Sequence, residues 1–447
     1  MKKRTIYTLP KDAELDGKNL KALIDAHIQD VDTFLKLESY ADDNPIMNRE
    51  SPNELLTINN FAQYITSINT GYLLGNPVDY NSKDDKIDLK PIIENYNGQS
   101  IDELDTEIEE DLSMFGQAFE NVFVDETSTA TSAKLSVFNT IVVYDNTFKH
   151  NKMFAVYYSA QVDDKNMIIR DKFDVTIWTP SKILYRVLNK ENLVEDPEAQ
   201  DTDHFLGEVP VVHYFNNRRL KGDYEPVISL IDAYNIHISD RVLDREKLVD
   251  AILAFYGSKL TAEDQQAIKE NRVVGLPEGA KAEFIVKNID EMGADVLRKT
   301  LAADIHKFSM TPDLTDDTFG DSPSGVSILY KLFAFEKNIK AKERLFERGL
   351  MNRLKLYVTV LSVQSKIGGK IDMNTIDAVF KRSLPKNNAE TAKMINELEG
   401  MLSKETLIGQ LDFVQDASVE VEKAEAERVE NGDFGTDNFQ KENTDGN

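Results

Sequence analysis

Residues 59–80 read NNFAQYITSINTGYLLGNPVDY. Phe61, Ile65 and Ile68 continue a spacing that begins at Leu55 and Ile58, so the stretch is the end of a helix with one apolar face. Gly75 suits a left-handed helix stop, and Pro77 excludes another turn. Gly71 interrupts the helix before its end, which close approach of a second helix would explain. Tyr72, Leu73 and Leu74 then anchor the end, and Gly75-Asn76-Pro77 turns the chain sharply toward a sheet. The stretch therefore marks a joint between a helical and a β region, and it is architectural rather than chemical.

The flanks agree with such a joint. Upstream, residues 16–41 place Leu20, Leu23, Ile24, Ile28, Val31, Phe34 and Leu35 at helical steps behind Asp16, a suitable cap. Downstream, a third helix covers about 100–114, where DELDTEIEEDL is strongly acidic; acids in its first turns suit the helix dipole, and the run reads as a wet face. From Gly116 the period changes to two. AFENVFVDE, KLSVFNTIVVYD, MFAVYYSAQV, MIIRDKFDVTIWTP and KILYRVL are rich in valine, isoleucine and aromatics, with polar turns between them. Sequential hairpins ending at residues 209–212 predict an antiparallel sheet, and the fold class is α+β, mainly helical.

Past residue 223 the helical period returns. A helix is predicted over 224–254, with Val227, Leu230, Ile231, Tyr234, Ile238, Val242, Leu248 and Ile252 on one stripe. A compact α/β insertion follows over 255–289, then a helix over 290–310. Residues 312–325, PDLTDDTFGDSPSG, are too rich in proline, glycine and aspartate for a helix. From Ser324 to about 367, Ile328, Leu332, Phe335, Ile339, Phe346, Leu350, Leu354 and Val358 make one continuous face. Two short helices and an acidic tail close the chain, and its last fifteen or so residues are read as disordered.

The 447 residues carry 52 basic and 78 acidic side chains, a formal charge of −26. Capture of nucleic acid rests on cations that displace counterions from phosphates, so a static DNA-binding role is disfavoured, whereas a conduit past which a polyanion slides is compatible with the sign. Absence of cysteine removes disulfides, thiolate metal sites and a cysteine nucleophile, and suits a reducing cytoplasm. The basic N-terminus MKKR precedes no apolar run of signal-peptide or membrane-spanning length.

Motifs for chemistry are missing. No HExxH, GxSxG or dinucleotide fingerprint occurs, and Gly368-Gly369-Lys370 lacks the spacing of a phosphate loop. The histidines are scattered; His204 and His213 are placed to meet across a hairpin, where structural roles outnumber metal pairs. Asp313, Asp316 and Asp317 invite a calcium or metal-hydrolase reading, but their spacing is not that of an EF-hand and no distal glutamate completes it. Trp178 lies in a strand pattern and belongs to the core. No cofactor and no metal are expected.

Three segments together resemble the portal proteins of tailed bacteriophages, in the branch of long, non-contractile tails and Gram-positive hosts. They are NNFAQYITSINTGYLLGNPVDY, TPDLTDDTFGDSPSGVSILYKLFAFEKNIKAKERLFERGL and LPKNNAETAKMINELEGMLSKETLIGQLDFVQDASVEVEK; in order and spacing the likeness covers roughly residues 20–430. The resemblance implies a ring of about twelve subunits at one capsid vertex in the virion, made in the host bacterial cytoplasm, through which double-stranded DNA enters and leaves. It assigns 1–223 to a wing, 224–254 and 290–311 to stem helices, and 255–289 to a clip. Residues 312–325 become a tunnel loop, 326–383 the long wing helix and return, 384–430 a crown and 431–447 an acidic disordered tail. Implied partners are the terminase large subunit, head-completion or connector proteins, a scaffold and the major capsid protein, with no membrane. Tunnel-loop residues facing DNA would be Asp313, Thr315, Asp316, Asp317, Thr318, Phe319 and Asp321. Asp290, Glu291, Asp295 and Asp304 would repel phosphates from the stem wall, with Arg298, Lys299 and Lys307 as compensating contacts. Gly71, Tyr72, Gly75 and Pro77 would be structural. The rival classes are another capsid-assembly or scaffold-like protein and a metal-dependent hydrolase.

Overall fold

The computed structural model describes residues 4–46, 56–84, 87–248, 252–256, 266, 279–285, 291–314, 325–366, 371–382, 388–409, 411, 414 and 417–430. A short strand, β1 (Tyr7–Leu9), precedes helix α1 (Gly17–Ala41), which the Asp16 carboxylate caps by accepting the Asn19 amide at 2.7 Å. The stripe of α1 is as expected at Leu20, Leu23, Ile24 and Phe34, while Ile28 and Leu35 lie at its edge and stay exposed.

Helix α2 (Phe61–Leu74) begins later than the apolar spacing indicated, because the Asn60 side chain caps the Gln63 amide and leaves Ile58 outside. Two expectations for this helix fail. Gly75 has φ −64°, a right-handed value; Pro77, with no amide hydrogen and a bias against helical conformation at Asn76, ends the helix without a left-handed residue. Gly71 is exposed, and a Cβ there would meet nothing within 4 Å, so among the described residues no second helix approaches it closely. Nor does the turn lead into the main sheet. It leads to β2 (Asp79–Ser82), which pairs antiparallel with a segment almost 300 residues later, Ile376–Val379.

Helices α3 (Lys90–Asn97) and α4 (Ile101–Phe115) follow. At Gly116 the chain takes φ +77°, and a Cβ there would sit 2.4 Å from the Leu220 backbone, so glycine is required on both counts. The strands beyond form two sheets rather than one. β3 (Gln117–Val124), β4 (Ala130–Leu135) and β11 (Val211–Phe215) make a three-stranded sheet in the order β11-β3-β4. β5 (Thr140–Asp145), β6 (Lys152–Val162), β7 (Ile168–Trp178) and β8 (Lys182–Asn189) are consecutive antiparallel neighbours. β9 (Asn192–Glu195) and β10 (Thr202–Asp203) both pair with β8, and β1 extends the other edge in parallel with β5. α1 covers this sheet, with Leu20 and Ile24 against Ile141, Val143 and Val156.

The predicted helix over 224–254 is a 3₁₀ turn, Glu225–Val227, followed by α5 (Ile228–Leu248). Its last expected turn is instead part of β12 (Ile252–Tyr256), paired antiparallel with β13 (Lys281–Ile285); the run ILAFY has the β-branched and aromatic character of a strand. α6 (Glu291–Ser309) returns along α5. The long periodic run is one helix, α7 (Gly325–Val363), whose 39 residues span about 58 Å at 1.5 Å each. Leu332, Phe335, Ile339, Phe346, Leu350 and Leu354 are all buried. Gly349 lets α7 meet β11, since a Cβ there would lie 2.2 Å from the Tyr214 ring. β14 (Ile376–Val379) completes the ladder with β2.

Residues 102–112 are not a wet face. Asp105, Glu109 and Asp111 are buried, each against a cation: Arg353, Lys342 and Lys134. Two of those cations stand on α7 at a sequence distance of more than 230 residues, so α4 and α7 are joined by charge as well as by Ile108, Leu112, Leu350 and Leu354. A second unit comprises Ser324–Ser327 and Leu384–Asn447, with helices α8 (Asn388–Leu398), α9 (Lys404–Ile408) and α10 (Ala417–Glu430). Residues 431–447, read as disordered from sequence, lie outside the described residues. Among the described residues no helix is long and apolar enough to cross a membrane.

Candidate functional site

The acidic loop of residues 312–325 is the sharpest candidate the sequence offered, and the structure describes how it begins. Thr315, Asp316, Asp317, Thr318, Phe319 and Asp321 lie outside the described residues; Asp313 is within them and half-buried. α6 ends at Met310, which takes φ +61° and turns the chain out of the helix. The next residues are then fastened to α2. Tyr64 donates its hydroxyl hydrogen to the Pro312 carbonyl at 2.9 Å and accepts the Leu314 amide at 3.0 Å, and Asn69 donates to the Thr311 hydroxyl at 3.1 Å. His306 stands edge-on to Phe61 and Tyr64, with ring centroids 5.8 and 5.5 Å away, and its Nε2 is 3.8 Å from the Asp313 carboxylate.

The same helix also contacts α7 at residues 335–336. Tyr72 packs against Phe335 of α7 with ring centroids 4.8 Å apart and planes tilted by 57°, and donates to Glu336, while the Arg382 guanidinium lies 5.6 Å over its ring and pairs with Glu336 and Glu343. Thus α2 grips the chain before the loop at residues 311–314 and after it at residues 335–336. That supplies the reason for the odd motif: Tyr64, Asn69 and Tyr72 are the working residues, not Gly71 and Gly75. Sequence reading missed Tyr64, Asn69, His306 and Glu336. Polar and aromatic residues inside an apolar helix were the available signal, but partners some 240–270 residues away were not legible.

The second candidate is the pair α5 and α6, joined by the β12–β13 ladder. His237 of α5 lies 2.9 Å from the Ala294 carbonyl, and Ile305 of α6 is fully buried in the cluster that holds Ile231 and Tyr234. Asp290 is outside the described residues, and of Glu291 only the helical backbone is described. Asp295 is already partnered: Arg298 and Lys299 reach it at 3.1 and 3.0 Å and hold its carboxyl below the usual range. Two of the three expected compensating cations, Arg298 and Lys299, are therefore engaged locally with the acid on the same helix. Asp304 follows Asp295 by nine residues, which at 100° each puts the two on opposite sides of the helix. A single acidic wall formed by both is excluded. The exposed face between them carries Met292, Val296, Lys299, Thr300, Ala303 and Lys307.

Remaining candidates for chemistry disperse. His204 sits 2.8 Å from the Thr179 carbonyl, and His213 contacts Tyr144 and Gln117, so the two are not a pair. Burial keeps the His213 ring well below its ordinary pKa. Trp178 is buried at the end of β7. Among the described residues no group of three or more histidine, aspartate or glutamate side chains is arranged to hold a metal ion.

An acidic segment whose first residues are fastened to α2, a helical pair with a two-stranded link and a long helix packed on an α+β body together make up the architecture around these candidates. The family model described as phage portal protein, SPP1 Gp6-like, matches residues 20–433. A portal protein of Bacillus phage SPP1 is 23% identical over 382 residues, which cover 80% of this chain and 73% of that relative. This chain belongs to the SPP1 Gp6-like family of phage portal proteins.

Proposed function

We propose that about twelve copies of the chain close into a ring at one capsid vertex, and that double-stranded DNA is packaged and ejected through the bore. The observation that carries this reading is that α2 holds residues 311–314 through Tyr64 and Asn69 and residues 335–336 of α7 through Tyr72, so that the chain is tied to one helix of the body both before and after the acidic segment proposed to face the duplex. In this reading α5 and α6 are the stem, with the β12–β13 ladder at the clip, where the terminase large subunit docks during packaging and head-completion or connector proteins dock afterwards. The scaffold and major capsid protein would meet the wing and crown. Low grip on DNA then comes from the charge of the whole chain and from the aspartates of the loop, since Asp295 is neutralised by its neighbours.

Native mass spectrometry of the purified chain, with negative-stain images of the same sample, tests the proposal. A closed ring of twelve or thirteen copies with an axial hole wide enough for a duplex is expected. A chain that remains monomeric under all assembly conditions, or rings without a hole, would overturn it.

A further inference from the structure

Between the two sheets and α7 lies a polar notch of about 340 Å³ that none of the features above uses. Its floor carries Lys152, at the start of β6, and its rim carries Arg348 and Asn352, one turn apart on the exposed side of α7. The Lys152 ammonium donates to the Val211 carbonyl, and among the described residues no carboxylate forms an ion pair with it or with Arg348. The other charged and titratable groups facing it are accounted for. Glu208 is paired with Lys355. His213 is kept neutral by burial and is engaged by Tyr144 at 3.1 Å and Gln117 at 3.3 Å. His150 lies 3.2 Å from the Asp145 carbonyl. Lys152, Arg348 and the amide of Asn352 thus line a notch whose one lining carboxylate, Glu208, is engaged by Lys355, in a chain that is otherwise strongly acidic.

The geometry points to an oxyanion site: a phosphate or carboxylate group enters the notch and is held between Lys152 Nζ and the Arg348 guanidinium. A bidentate guanidinium contact and an ammonium point charge are the usual means of holding such groups. Desolvation pushes the Lys152 ammonium down to about 8, so the site gives its own readout, because a bound anion restores the charged form.

The experiment measures the pKa of Lys152 from the pH dependence of its acetylation by limiting acetic anhydride, read by peptide mass spectrometry. It is run on dissociated protein and on assembled rings, with inorganic phosphate, with acetate, and with sodium chloride at matched ionic strength. Phosphate or acetate is expected to raise the pKa by about one unit, which at pH 8 lowers the labelling of Lys152 roughly fivefold. Arg348→Met, at an exposed helix position, should abolish the rise, read as the change on adding anion relative to the same variant without it. A rise produced by ring assembly alone assigns the oxyanion to a carboxylate of a neighbouring copy. A rise that needs added anion in both states assigns it to a free ion. A pKa unmoved under every condition, or raised equally by sodium chloride or in the Arg348→Met protein, overturns the site.

Discussion

Arg353 is fully buried between two buried carboxylates, Asp105 and Glu120. It makes a two-pronged contact with Asp105, lies 3.2 Å from the Tyr80 hydroxyl and 3.7 Å from Glu120, whose other oxygen accepts the Tyr214 hydroxyl at 2.5 Å. Methionine at 353 would fill much of the same volume but leave two carboxylates buried without their cation, at a cost of about 3–5 kcal/mol. Urea denaturation of Arg353→Met should therefore show a large fall in midpoint, and a midpoint within error of the parent would contradict the network. Glu109 makes a different prediction. Lys342 is shared between Glu109 and Asp223, which it meets at 2.7 Å, so one buried cation faces two buried carboxylates. Burial then raises the Glu109 carboxyl to about 7, from an ordinary value of 4.5. Between those two values the folded chain keeps a proton that the unfolded chain releases, so this group makes stability fall as pH rises from about 4.5 to 7, and the loss is complete above 7. Asp111, pushed up to about 6, acts in the same direction. Glu109→Gln should flatten the difference in denaturation midpoint between pH 5 and pH 7.5; a difference as large as the parent's would show that the carboxyl titrates normally.

Single interactions become a mechanical part at the level of α2, where Tyr64, Asn69 and Tyr72 bind segments on both sides of one loop. Tyr64→Phe keeps the ring against His306 and removes only the hydroxyl that bridges Pro312 and Leu314. The expected loss of overall stability is small, about 1 kcal/mol. Hydrogen exchange at residues 311–314 should rise clearly while exchange in α1 stays as it was. Unchanged exchange at the loop root would mean that α2 does not hold it. This element also shows what the sequence disclosed and what it withheld. The long helix α7, the capped helix α1 and the strand character of residues 117–189 were legible, because each is fixed by a local period and by residues within one or two turns. The burial of the α4 acids was not, since an acidic helix face reads as solvated until the cations that cover it are known, and those of Asp105 and Glu109 stand more than 200 residues away. The separation of the strands into two sheets depends on β11 returning to β3 across nearly 90 residues, and the parallel attachment of β1 is equally non-local. Composition predicted an irregular acidic segment over 312–325, of which residues 312–314 are described and are not helical, whereas the hold of α2 on residues 311–314 required the tertiary structure.

The whole molecule adds a constraint that no residue or element carries alone. A phage portal subunit with a formal charge of −26 has to associate with copies of equal charge, so assembly works against a long-range repulsion. Local pairing does little to remove it: many acids, such as Asp295, are matched within their own helix, but the excess of 78 acids over 52 bases remains. Contacts across the subunit boundary must therefore draw on apolar surface, of which the exposed Met292, Val296 and Leu297 of α6 are one source. Salt separates the two contributions. Screening shortens the Debye length from about 10 Å at 0.1 M to about 3 Å at 1 M, which weakens repulsion between subunits and leaves apolar burial intact. The assembled fraction in native mass spectrometry or light scattering should accordingly rise with sodium chloride between about 0.1 and 1 M, at fixed protein concentration. An interface dominated by ion pairs would behave in the opposite way. Dissociation of assembled rings on adding salt would show that the net charge is outweighed by specific contacts between unlike charges.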